Sequence, residues 1–129
     1  MLRERMNQAA LGMAALVFAW VGLNGLFAPN AIAGPVELVA PSASANNEIR
    51  ANYGGMHLAM SALFAAGAVS LGFRWAATVV LMLFSGGLVA GRLVSVAVDG
   101  VPNGFVIQLL ITEATAAAAG AALLWAAKD

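Results

Sequence analysis

The sequence predicts an all-α integral membrane protein, a four-helix bundle with both termini on the cytoplasmic side. Composition comes first: of 129 residues, 62% are apolar and 9% charged, against about 25% charge in soluble domains. Mean hydropathy is +0.89. Four apolar windows then follow one another, each near the roughly 20 helical residues that about 30 Å of hydrocarbon requires. Finally, arginine and lysine recur at every other connection, and positive side chains resist translocation.

The first window runs from Ala9 to Phe27, behind Arg3 and Arg5. Those arginines, with Ala31-Ile32-Ala33 ahead of Gly34, also resemble a signal peptide and its cleavage site. The apolar stretch is longer than a signal core, which favours a retained span. Residues Ala28 to Asn47 hold Pro29, Gly34, Pro35 and Pro41 and read as an irregular extracytoplasmic loop. Its apolar part, Ala31 to Ala40, suits a segment lying on the membrane surface.

The second window, Ala51 to Phe73, begins beside Arg50 and ends at Arg74, which is placed in the next connection. The third runs from Trp75 to Val98 and the fourth from Phe105 to Ala127, followed by Lys128. Trp75 and Trp125 fall at cytoplasmic helix ends, where indole prefers the headgroup layer. The whole chain, 1–129, reads as one domain.

Helices in lipid associate where small side chains let backbones approach. Gly87 and Gly91 on the third span, Gly55 and Ala59 on the second, and Ala116 and Gly120 on the fourth each pair small residues on one face. With Gly54, they are expected to pack helices inside the bundle, or else to form an oligomer or partner interface.

Ionisable groups inside a span are costly and need partners. Counting about 1.5 Å per residue from the outer boundary at Glu48, Asp99 and Gly104, His57 and Glu113 lie about 13 Å deep and Arg92 about 10 Å. Arg50, Gly54, His57 and Ser61 form one helical stripe, and Leu88, Arg92, Ser95 and Asp99 another. Facing stripes would pair Arg92 with Glu113, and Arg50 with Glu48 or Asp99. Two positive groups against three negative leave one negative charge, which a proton on His57 or Glu113 would cancel. Such a layer fixes helix register, or lines a ligand or proton site.

The residue inventory narrows the chemistry. Six basic and six acidic residues give no basic face for nucleic acid. Without cysteine there is no disulfide, thiolate or Cys-ligated metal, and one histidine cannot supply a bis-imidazole haem. His57 could ligate one chlorin magnesium, but a satisfied buried histidine is the preferred reading. No catalytic residue, metal site or cofactor is expected.

The segment Glu48-Ile49-Arg50-Ala51-Asn52-Tyr53-Gly54-Gly55, with Gly91-Arg92, Asp99-Gly100-Val101-Pro102 and Glu113, resembles a family of small bacterial four-span membrane proteins known as a domain of unknown function. The resemblance spans most of the chain. It implies the four-helix fold and makes Arg50, Tyr53, Gly54, Gly55, Arg92, Asp99 and Glu113 signature positions; it brings no reaction, cofactor or substrate.

The expected role is a non-enzymatic accessory subunit of the bacterial inner membrane, contacting lipid and packing against an integral membrane partner or itself. A proton-coupled transporter built on Glu113 is the alternative, by analogy in size with the small multidrug resistance family, whose carboxylate lies in the first span. This first span has none. A lipid or isoprenoid binder using Arg50 and Arg92 is the other.

Overall fold

The computed structural model describes residues 1–126, and every regular element among them is helical. Helix α1 (Leu2–Phe27) is followed by the short α2 (Pro29–Ala33) and a 3-10 turn (Gly34–Val36). Then α3 (Ala43–Ile49), a π-helical segment (Arg50–Gly55) and α4 (Met56–Val69) run on without a break. Helix α5 (Leu71–Asp99) and helix α6 (Gly104–Ala126) complete the order.

Three of these helices, α1, α5 and α6, are long and apolar enough to cross a membrane. The expected second span is divided by its π segment, and α4 alone, 14 residues or about 21 Å, is shorter than the hydrocarbon core. The expected boundaries also move. The predicted irregular loop is mostly helical, with the Ser42 side chain accepting from the Ala45 N–H to cap α3. Arg74, expected in a connection, lies inside α5 and is buried, because only Ser70 separates α4 from α5. Ala127 and Lys128, the predicted end of the fourth span and its basic flank, lie outside the described residues.

The helices alternate in direction. α1 packs on α4, α4 on α5 and α5 on α6, while α1 and α6 touch little. Both termini of the described chain share one end of the bundle, where Arg3 Nη1 donates to the Ala126 carbonyl at 2.6 Å. At the other end Asn103 Nδ2 donates to the Pro35 carbonyl and to Glu37 Oε1, at 3.1 and 2.9 Å. The Asn103 Oδ1 accepts from the Val106 N–H, so one side chain caps α6 and ties the long connection to it. Glu37 closes the preceding 3-10 turn in the left-handed region, φ 60°.

Burial is sparse. Leu11 and Ala15 of α1, Phe64 of α4, and Ala77 and Leu81 of α5 form the core cluster. Met13, Leu16, Trp20, Leu83 and Ile111 are exposed. A water-soluble fold of this size would hide such side chains; here acyl chains solvate them, so close packing rather than burial from water joins the helices.

Glycine provides that closeness at particular positions. A Cβ on Gly25 would stand 2.5 Å from the Tyr53 carbonyl carbon and 2.7 Å from the Gly54 nitrogen, so α1 meets the π segment backbone to backbone. A Cβ on Gly54 would stand 2.6 Å from Leu26 Cδ2, and one on Gly120 2.9 Å from Met82 Cβ. Gly22 receives Leu58, and Gly67 receives Ala77. Gly55, Gly87 and Gly91, expected to pack inside the bundle, have nothing within 4 Å of a Cβ position; their expected internal packing is therefore corrected. Gly87 and Gly91 point away from the neighbouring helices, because α5 turns its Leu81 and Ser85 side inward.

Candidate functional site: a paired charge and an aromatic-walled histidine

The predicted polar residues separate into three groups. Arg92 of α5 and Glu113 of α6 form a two-pronged pair, Nε to Oε2 at 2.6 Å and Nη2 to Oε1 at 2.8 Å. Their side chains are 24% and 14% exposed, so the charges meet in a gap between helices rather than at an open surface. The planar fork matches the carboxylate, uses both its oxygens and leaves neither charge unpartnered.

The second group surrounds His57. Phe18 of α1 stacks on its ring at 5.2 Å between centroids, Tyr53 stacks at 5.8 Å, and Phe84 of α5 meets it edge-on at 5.9 Å. The Nδ1 atom lies 2.8 Å from the Asn52 carbonyl, five residues back. This is the π spacing: Met56 N–H likewise bonds the Ala51 carbonyl, and the wider turn brings both partners into line. Asn52 Nδ2 meanwhile donates to the Glu48 carbonyl at 3.0 Å and to Glu48 Oε2 at 3.1 Å, drawing that carbonyl away from the regular ladder.

The third group consists of predicted pairings that the structure replaces. Arg50 does not meet Glu48 or Asp99; its Nε donates to the Leu26 carbonyl at 2.9 Å, satisfying an acceptor at the end of α1. Asp99 accepts from Ser95 on its own helix at 3.0 Å. The single layer expected from helical depth is thus an Arg92–Glu113 pair between α5 and α6 and a separate His57 cluster between α1, α4 and α5.

Sequence reasoning passed over a further cluster near the chain termini. Arg74 Nη1 pairs with Glu4 Oε1 at 3.1 Å, while its Nε and Nη2 donate to the Gly67 and Ala68 carbonyls at 3.1 and 3.2 Å. The Thr78 hydroxyl lies 2.8 Å from the Arg74 carbonyl and 3.1 Å from Asn7 Oδ1. Arg74 thereby closes the exposed carbonyls at the end of α4 and fastens α1 to α5. The signal was present: Glu4 and Asn7 precede Leu11 at helical spacing, and Arg74 and Thr78 precede Leu81 in the same way.

Other polar side chains in the helices return to the backbone. Ser61 donates to the Ala15 carbonyl at 2.8 Å, and Thr112 and Thr115 bond the carbonyls of Gln108 and Ile111 at 2.9 and 2.8 Å. Among the described residues no group of three or more His, Cys, Asp or Glu side chains could hold a metal ion. Long apolar helices with exposed flanks, joined through internal charge pairs, define a multi-span α-helical membrane protein. The chain belongs to the family described as domain of unknown function DUF4345, whose model matches residues 6–128. Neither the curated proteins nor the solved structures gave a match.

Proposed function

We propose that this chain is a non-enzymatic accessory protein of the bacterial inner membrane that docks laterally, through the outer face of α5, against a larger integral complex or another copy of itself. The observation that carries this reading is the position of Gly87 and Gly91. They are four residues apart, on one face of a membrane-length helix, and nothing in the bundle occupies the space beside them. Paired glycines offer a close approach to another helix, and lipid does not need one. The bidentate pairing of Glu113 supports a fixed structural role for that carboxylate over one in which it carries a transported proton.

Replacing Gly87 and Gly91 together by leucine tests it. The expected result is an unchanged unfolding transition, since each new side chain enters open space, together with loss of the slower-migrating or partner-bound species after extraction in mild detergent. Unaltered association in the double variant would count against the docking face.

In this reading the chain crosses the membrane four times, the continuous helical stretch 43–69 serving as the second crossing, with both termini cytoplasmic. Arg3, Arg5 and Arg74 at the shared end support that orientation. Because the sequence contains no cysteine, single introduced thiols report sidedness without background. Ser44→Cys and Val101→Cys are both expected to react with a membrane-impermeant maleimide added to the outside of spheroplasts. Reaction of Ser44→Cys alone would place 43–69 short of a full crossing.

A further inference from the structure

The His57 cluster opens onto a cleft of about 340 Å³ between the π segment, α5 and the residues following the 3-10 turn. Its walls include Leu38, Met56, Phe84 and Leu88, and Glu48 and Asn52 also line it. That space accommodates one substituted ring.

The imidazole in this cleft is oriented. A carbonyl oxygen only accepts, so the neutral ring carries its hydrogen on Nδ1, facing Asn52. The Nε2 atom is then an acceptor. No hydrogen bond within the described chain reaches it, yet no buried side-chain nitrogen or oxygen among the described residues lacks a partner. The Nε2 edge is therefore not sealed, and His57 is one of the residues that line the cleft. Phe18 and Tyr53 both stack on the imidazole, which leaves its edge for hydrogen bonding. A second acceptor lines the same cleft: the Glu48 carboxylate, of which only Oε2 is engaged by Asn52.

An apolar, aromatic-walled space lined by His57, Glu48 and Tyr53, with no lysine or arginine among its walls, suits a ring that brings its own donor to the imidazole. We propose that this cleft binds the hydroxylated aromatic head of a quinol-type membrane amphiphile, with one ring hydroxyl donating to His57 Nε2. The ring stacks or packs against Phe84 and Met56, and the tail leaves between α4 and α5 into lipid. The oxidised quinone has the same shape but no hydroxyl hydrogen, so the site discriminates by donor rather than by size. This inference does not rest on lateral docking, although Phe84 and Leu88 share a helical stripe with Gly87 and Gly91.

The chain has one histidine, so ¹⁵N-histidine labelling gives a single imidazole to observe. In anaerobic nanodiscs, with reductant present only in the quinol samples, decylubiquinol is expected to shift the Nε2 resonance and to bind about tenfold more tightly than decylubiquinone, the worth of one good hydrogen bond. His57→Phe should abolish that preference. Should His57→Phe fail to fold, Leu88→Trp, which fills the cleft from an exposed position, should abolish the shift while leaving the imidazole in place. Equal affinity for quinol and quinone, or a preference that survives His57→Phe, overturns the proposal. So does farnesol binding as well as the quinol, since that would make the ligand any membrane alcohol rather than an aromatic one.

Discussion

Gly25→Ala is expected to destabilise the fold by about 3 kcal/mol, at the top of the usual range for overpacking, although it adds one methyl group. That methyl carbon would stand 2.5 to 2.7 Å from three backbone atoms of Tyr53 and Gly54. Backbone cannot swing aside as a side-chain tip can. The structure can respond only by moving α1 away from the π segment. Such a movement also disturbs Arg50, whose Nε bonds the Leu26 carbonyl, and Leu26, which occupies the notch left by Gly54. One methyl group therefore loosens three contacts at the end of the bundle far from the termini. Gly12→Ala on the same helix supplies the control. No atom lies within 4 Å of its Cβ position, so it should not destabilise and is expected to gain about 0.5–1 kcal/mol from the higher helix propensity of alanine. Equilibrium unfolding in mixed detergent micelles measures both, and equal transitions for the two variants would show that α1 and the π segment do not depend on close backbone contact.

The same contact explains what the sequence could and could not reveal. Helicity and membrane-length apolarity were legible because they are properties of single segments, and α1, α5 and α6 follow from them directly. The meeting of Arg92 and Glu113 was legible as well, since equal depth on neighbouring antiparallel helices is nearly a contact in itself. Which glycines pack was not legible from spacing. Gly87-x-x-x-Gly91 has the better motif, yet it points outward, whereas Gly22 and Gly25, only three apart, take Leu58 and the π backbone. Spacing gives a shared face; the stripe of larger buried residues decides where that face turns. On α1 this stripe runs through Asn7, Leu11, Ala15 and Phe18 and continues into Gly22 and Gly25. The π segment was hidden for a different reason. It shifts the helical phase between Ile49 and Met56, so an ideal periodicity carried from Arg50 to His57 misplaces Arg50. Arg50 consequently turns toward α1 rather than toward Asp99.

Glu113→Leu is expected to cost about 3 kcal/mol, whereas Arg92→Leu combined with Glu113→Leu should cost less than about 1 kcal/mol. The asymmetry follows from what each change leaves behind. Removing the carboxylate alone strands a guanidinium whose Nε and Nη2 both donate to it, in a gap where the arginine side chain is 24% exposed. Removing both charges abolishes the pair and its desolvation cost together, and leucine fills comparable space on both helices. The coupling energy from the four-member cycle isolates the pair, because Arg92 and Glu113 have no other salt-bridge partner among the described residues. Exchanging the two, Arg92→Glu with Glu113→Arg, should recover part of the loss, since α5 and α6 run antiparallel and the longer side chain can approach from either helix. A different outcome has a definite physical meaning. If Glu113→Leu alone leaves the unfolding transition unchanged, the freed guanidinium has reached the outer headgroup layer along its aliphatic stem, about 10 Å away. The pair would then report helix proximity without enforcing it, and α6 would be held to α5 by close packing such as that of Gly120 against Met82.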